Sequence, residues 1–251
     1  RLLDGQLQYA DGITTSADED VVRGVAAPFE AQGGLRLLRG NLGRSLIKLS
    51  AVKPQYRTIE APAVVVDAPQ VLNKLHAAGA LPQDFVAVVR YQGPRSNGMP
   101  ELHSLAPLLG LLQNQGRRVA LVTDGRLSGA SGKFPAAIHM TPEASRGGPI
   151  ARVREGDIIR LDGEAGTLEV LVDPAEWASR ELAPNTAPHA NDLGRNLFAL
   201  NRMMVGPADQ GAISISCGPV AADGGLWDYD AEYELGHDSA AAAAPHEEKD
   251  A

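Results

Sequence analysis

The segment Thr123–Pro135, TDGRLSGASGKFP, gathers glycine and serine around a single lysine. Such a loop can turn backbone N–H groups and hydroxyls toward an anion, with Lys133 as a point charge. It is not a triphosphate loop. The Walker pattern requires Gly five residues before Gly132, where Leu127 stands, and Ser or Thr after Lys133, where Phe134 stands. Glycines at 125, 129 and 132 also miss the dinucleotide spacing. Two readings stay open for Ser128, Ser131 and Lys133: an anion-facing loop or an ordinary tight turn. In a second segment, GPRSNGMPELH, Gly93, Pro94 and Gly98 fix the backbone and bring Glu101 to the expected start of a helix. A carboxylate there is either favoured by the helix dipole or a ligand for a hard metal ion. A third segment, HMTPEASRGGP, predicts one helical turn, with Thr141 as N-cap, Pro142 at the first helical position and Gly147-Gly148 as terminator. His103 and His139 lack metal-ligand spacing and read as structural, and Cys217, in the alternating GAISISCGPV, reads as a packed small side chain.

The first two loops need a scaffold that aims them. Short strands joined by tight turns are expected from Gly33 (GGLRLLRGNLGRSLIKLSAV). Ala63–Asp67 is a β-branched run, and Pro69–Gly79 has helical spacing with a terminating glycine. Asp84–Arg90 and Arg117–Thr123 read as buried strands on either side of an apolar helix at about 102–115. That β-α-β-α-β alternation predicts parallel strands covered by helices, with chemistry in the loops at their carboxyl ends. Both glycine-rich loops, Gln92–Glu101 and Asp124–Pro135, fall there. After Gly148 the pattern becomes a hairpin or meander; helices follow at Pro174–Leu182, capped by Asp173, and at about 191–205.

Composition excludes several function classes. Of 251 residues, 44% are hydrophobic and the formal charge is −8. Asp223–Ala251 carries nine acids against Lys249 alone, so the preceding residues balance at 22 acids and 22 bases. A neutral body lacks the basic stripe of a nucleic-acid binder, and no apolar run is long enough for a membrane span. One cysteine cannot ligate an iron–sulfur cluster unaided. The start at Arg1, without a leader-like segment, reads as a fragment or processed start of a cytoplasmic protein.

Taken in order, GPRSNGMPELH, VALVTDGRLSGASGKFPAAIHMTPEA and GGPIARVREGDIIRLD resemble the C-terminal part of the dihydroxy-acid/6-phosphogluconate dehydratase family, over about Gly33–Gly211. The wording NGMPELH and SGASGKFPAAIH is closest to the 6-phosphogluconate branch. The resemblance implies a β-rich mixed α/β fold, the swivelling β/β/α barrel-like domain, at residues 32–215. Residues 1–31 are then an arm from a preceding N-terminal domain, and 216–251 an acidic, flexible tail.

The resemblance also implies a chemistry: loss of water from 6-phospho-D-gluconate, giving 2-dehydro-3-deoxy-6-phosphogluconate in the Entner–Doudoroff route. Its cofactors are a [4Fe-4S] cluster and Mg2+, both held mainly by the N-terminal domain, with no cluster ligand in this chain. The C2 proton is weakly acidic and the C3 hydroxide a poor leaving group, so a Lewis acid is expected at each end. By position, Ser128 matches the family's serine base and Glu101 the glutamate that reaches the magnesium site. Ser131, Lys133 and Arg95 are expected to help hold the 6-phosphate. The chain alone should be inactive, and a homodimer of the whole protein is expected. Alternatives are a dihydroxy-acid or sugar-acid dehydratase of the same family, or a non-catalytic sugar-acid-binding module.

Overall fold

The computed structural model describes residues 2–7, 9, 12, 14–29, 31, 33–128, 133–186 and 193–214. Ser131, Cys217 and the acidic segment 216–251 lie outside the described residues. Near the start, strands β1 (Leu2–Leu3) and β2 (Gln6–Leu7) form a small antiparallel pair. Eight further strands close into a barrel: β3 (Leu35–Gly40), β4 (Gly43–Lys48), β5 (Thr58–Val66), β6 (Phe85–Val89), β7 (Val119–Thr123), β8 (Ala136–Thr141), β9 (Ile158–Asp162) and β10 (Thr167–Val170). Around the barrel their order is β10-β3-β4-β8-β7-β6-β5-β9. The fold is thus β-rich and mixed α/β.

Strands β5, β6 and β7 are parallel neighbours, as the alternation predicts; β8, which it does not predict, continues the parallel run, and β9 and β10 form the expected hairpin. Pleating sends successive residues of β6 and β7 into two cores. Val86, Val88, Ala120 and Val122 point into the barrel with Ile47, Ile59, Leu161 and Leu168. Phe85, Ala87, Val89, Val119 and Leu121 point outward, beneath Leu72 of α1 (Pro69–Ala77) and Leu108, Leu109 and Leu112 of α3 (Ala106–Asn114). Every residue of β6 and β7 is buried, which is why both read as unbroken apolar runs.

Several expected boundaries move. The helix expected from residue 102 begins as a 3₁₀ turn, His103–Leu105, and α3 starts beside Pro107, whose missing N–H suits a first turn. The four-residue α2 (Pro94–Asn97) follows Gly93. Thr141 is not a helix cap. It ends β8, the Thr141–Pro142 peptide is cis, and the short 3₁₀ turn Ala144–Arg146 has Glu143 at its cap position. Helix α4 (Pro174–Ser179) is capped as expected: Asp173 Oδ1 accepts N–H bonds from Ala175 (2.9 Å) and Glu176 (3.0 Å). It stops early because Arg180 turns to extended backbone and grips Asp157 with both terminal nitrogens. The helix expected over 191–205 is described as two pieces, α5 (Leu193–Leu197) and α6 (Ala199–Met204), parted at Phe198.

Candidate functional site

Each parallel strand ends in a polar residue that the fold buries. Asp67 follows β5 and pairs with Arg90 beyond β6 (2.8 Å). Gln92 donates its side-chain N–H to the carbonyls of Asp67 (2.9 Å) and Arg90 (3.1 Å), and its Oε1 accepts from Asn97 (3.0 Å). Asp124, after β7, accepts the N–H of Gln92 (2.8 Å) on one oxygen and that of Ala144 (3.0 Å) on the other. Glu143, after β8, accepts the N–H groups of Arg95 (2.9 Å) and Ser96 (3.2 Å), the first turn of α2. Gly93 is obligatory at this approach, since a Cβ there would lie 2.1 Å from Glu143 Oε2. Burial raises the pKa of Glu143, and pushes Asp124 up to about 7 against the pull of its two amide bonds.

The two glycine-rich loops sit on this rim and are tied together. Glu101 and Arg126 form a parallel β-bridge, Leu102 N–H donates to Arg126 O (3.1 Å), and Arg126 Nε donates to Met99 O (2.8 Å). Glu101 Oε1 accepts the backbone N–H of Ser128 at 2.7 Å. Both side chains remain exposed. The second loop is anchored below by Leu127 and Phe134, which enter the outer core, and Gly125 O accepts the N–H of His139 (2.9 Å). His139 has φ +57° and a pKa lowered by burial, with the Arg126 charge adding to the effect. The structure therefore brings Glu101 and Ser128 into direct contact, although they are 27 residues apart.

A cavity of about 960 Å³ has Glu101, though not Ser128, among its lining residues, with Asp67, Gln92 and Asn97 and residues of α5 and α6. Among the described residues lining it, the cations are Arg195 and Arg202. Arg95 is an exposed residue of α2 and Lys133 an exposed residue of the second loop, and neither is among those lining residues. Ser131 lies outside the described residues.

Comparison with known proteins gives the same assignment as the wording of the loops. Residues 20–212 match the family described as dihydroxy-acid/6-phosphogluconate dehydratase C-terminal. The chain belongs to this family. A phosphogluconate dehydratase of Pseudomonas aeruginosa is 54% identical over 217 residues, 86% of this chain and 35% of the relative. One from Escherichia coli is 49% identical over 222 residues, 86% and 36%. A dihydroxy-acid dehydratase of Nitratidesulfovibrio vulgaris is 40% identical over 200 residues, 78% and 35%. The chain thus spans about a third of the length of these relatives.

In this dehydratase domain, sequence reasoning missed the buried acids and the two cavity arginines. Glu143 was hidden inside an apparent helical turn, and it stands two residues after β8, a strand the sequence does not announce. Arg195 and Arg202 occur in a stretch whose amphipathic spacing reads simply as helix.

Proposed function

We propose that the chain is the C-terminal part of a phosphogluconate dehydratase, a hydro-lyase acting on 6-phospho-D-gluconate. The observation that carries this is the Glu101–Ser128 clasp on the rim of the parallel strands, together with relatives of that name at 44–54% identity. The closed barrel with α1 and α3 on its outer face supports the swivelling β/β/α reading. The arm and tail boundaries, a cytoplasmic homodimer, and an N-terminal domain completing the site belong to the same proposal. Among the described residues no helix is long and apolar enough to cross a membrane.

The implied cofactors fit this chain unequally. Among the described residues there is no cysteine, and no group of three or more His, Cys, Asp or Glu is placed to hold a metal. These residues do not fit an iron–sulfur cluster. Glu101 offers an exposed hard oxygen, which fits one ligand of a magnesium site completed from outside this chain. Magnesium bound there would draw negative charge from the substrate's carboxylate and C2 oxygen.

The chain's own part is proton transfer and positioning. Glu101 accepts the Ser128 N–H, which holds the Ser128 backbone where its Oγ can meet the substrate. As base, in its alkoxide form, Ser128 takes the proton from C2 and becomes a hydroxyl; the C–H electron pair becomes the C2–C3 double bond, and the C3 hydroxyl leaves as hydroxide, which becomes water with the proton Ser128 gives up when the alkoxide is restored. The resulting enol becomes the 2-keto product by moving its hydroxyl proton to C3. A positioned base contributes about 10²–10⁴-fold. In the full-length enzyme, Ser128→Ala is expected to cost at least about 10²-fold in kcat with cluster absorbance unchanged. Near-normal turnover would remove the base assignment.

A further inference from the structure

The dehydratase reading leaves one anion unaccounted for. If C2 meets Ser128, the substrate carboxylate on C1 lies at the Glu101 end, and the phosphate on C6 must be met elsewhere. The neutral body supplies no diffuse positive field for it, so a local cation is needed. The cavity that contains Glu101 also contains Arg195 and Arg202. Arg195 Nη1 and Nη2 donate to Asn97 Oδ1 (3.3 Å) and Ser96 O (3.1 Å), at the carboxyl end of α2. Arg202 Nη2 donates to the carbonyl of Arg195 (2.7 Å). These bonds hold both guanidiniums on the cavity wall. Among the described residues no carboxylate pairs with Arg202, so its charge is not cancelled there. At about 960 Å³ the cavity is at the upper end of the small-molecule range, roughly 300–1,000 Å³. A phosphorylated six-carbon acid fits in it.

We propose that Arg202, positioned by Arg195, is the phosphate-binding residue that selects a phosphorylated sugar acid over its unphosphorylated counterpart. The planar fork of a guanidinium matches phosphate oxygens two at a time, and a lysine at this position would offer only a point charge. The assignment rests on the dehydratase reading, and places phosphate recognition on α5–α6 rather than on Lys133 and Arg95.

The test uses the full-length, cluster-loaded enzyme with 6-phosphogluconate and gluconate. Arg202→Gln is expected to raise KM for 6-phosphogluconate at least about tenfold, the scale of one lost charge-assisted pair. Its kcat/KM on gluconate should fall less than threefold, and competitive inhibition by inorganic phosphate should weaken by at least about tenfold. Arg202→Lys, which keeps the charge, should fall between, with an unchanged thermal midpoint showing that the fold is kept. Equal losses on both substrates, no loss on either, or a selective loss from Lys133→Gln with none from Arg202→Gln would overturn the proposal. Ser128→Ala separates the two readings, because it should abolish turnover of both acids. A wild-type enzyme that handles the two acids equally defeats the substrate reading, whereas a wild-type preference untouched by Arg202→Gln defeats the arginine assignment alone.

Discussion

Asp124 is a carboxylate that desolvation and hydrogen bonding pull in opposite directions. It is fully buried, so water cannot solvate its charge, yet two backbone N–H groups point at its oxygens. Desolvation wins, and the pKa rises from 3.8 to about 7. Because the folded state holds the proton more tightly than the unfolded chain, Asp124's contribution to stability is complete below about pH 4. It is lost as pH rises through about 7. Glu143, also raised, adds a slope of the same sign. The thermal midpoint of the domain should therefore fall between pH 5 and pH 8, and Asp124→Asn should flatten that fall while leaving the Glu143 part. At pH 5 the variant should be less stable by about 1–3 kcal/mol, since its amide nitrogen faces an N–H that has lost its acceptor. A slope identical to wild type would show that Asp124 does not titrate in this range. The sequence could not disclose this residue. Its partners lie 32 and 20 positions away, and an acid beside a glycine-rich loop looks like a solvated one. Glu101 and Ser128 stand out in the sequence because local wording singles out their loops, and the structure joins the two through the Ser128 N–H.

At the scale of elements, what was legible is what is buried on both faces. β6 and β7 are apolar without interruption, and α1 announces itself by spacing and a terminal glycine. β8 was not legible, because AAIHMT is only partly buried and runs into Pro142. Barrel closure was not legible either, since it depends on pairings between distant segments. β3 meets β10 at the single register pair Arg39–Thr167, and the Asn41 side chain bonds both the N–H and the carbonyl of Val170. Gly40 makes that meeting possible: a Cβ there would lie 1.8 Å from Leu168 O, a backbone atom that cannot swing aside. Gly40→Ala should destabilise the domain by about 1–3 kcal/mol or more through forced strand separation. Gly110→Ala, in α3 with nothing within 4 Å of the added carbon, should be neutral or stabilising by up to about 1 kcal/mol. Chemical denaturation of the two variants measures the contrast. Equal effects would mean that the seam relaxes at little cost.

For the whole molecule, the rim and cavity look like part of a site. Glu101 and Ser128 are exposed, and the α5–α6 segment that lines the cavity leaves Leu197, Leu200 and Met203 roughly 70% exposed. On the proposed reading, a chain covering about a third of its relatives' length, without thiolates for a cluster among its described residues, would contribute Ser128 as base and Glu101 as one ligand of a metal held from outside it. Binding energy for the substrate would then be divided between this chain and the remainder of the protein. Arg202 without a metal-anchored carboxylate holds only the phosphate end, and the ordering cost of the whole ligand is offset by half its contacts. Isothermal titration of the 251-residue chain with 6-phosphogluconate should therefore show millimolar affinity or none, and an iron-free preparation should show no turnover. Inorganic phosphate should bind about as well as the full substrate, because both would use the same arginine. Micromolar binding of 6-phosphogluconate with no response to phosphate would favour a self-sufficient sugar-acid-binding module, and robust iron-free turnover would move the whole catalytic centre onto this barrel.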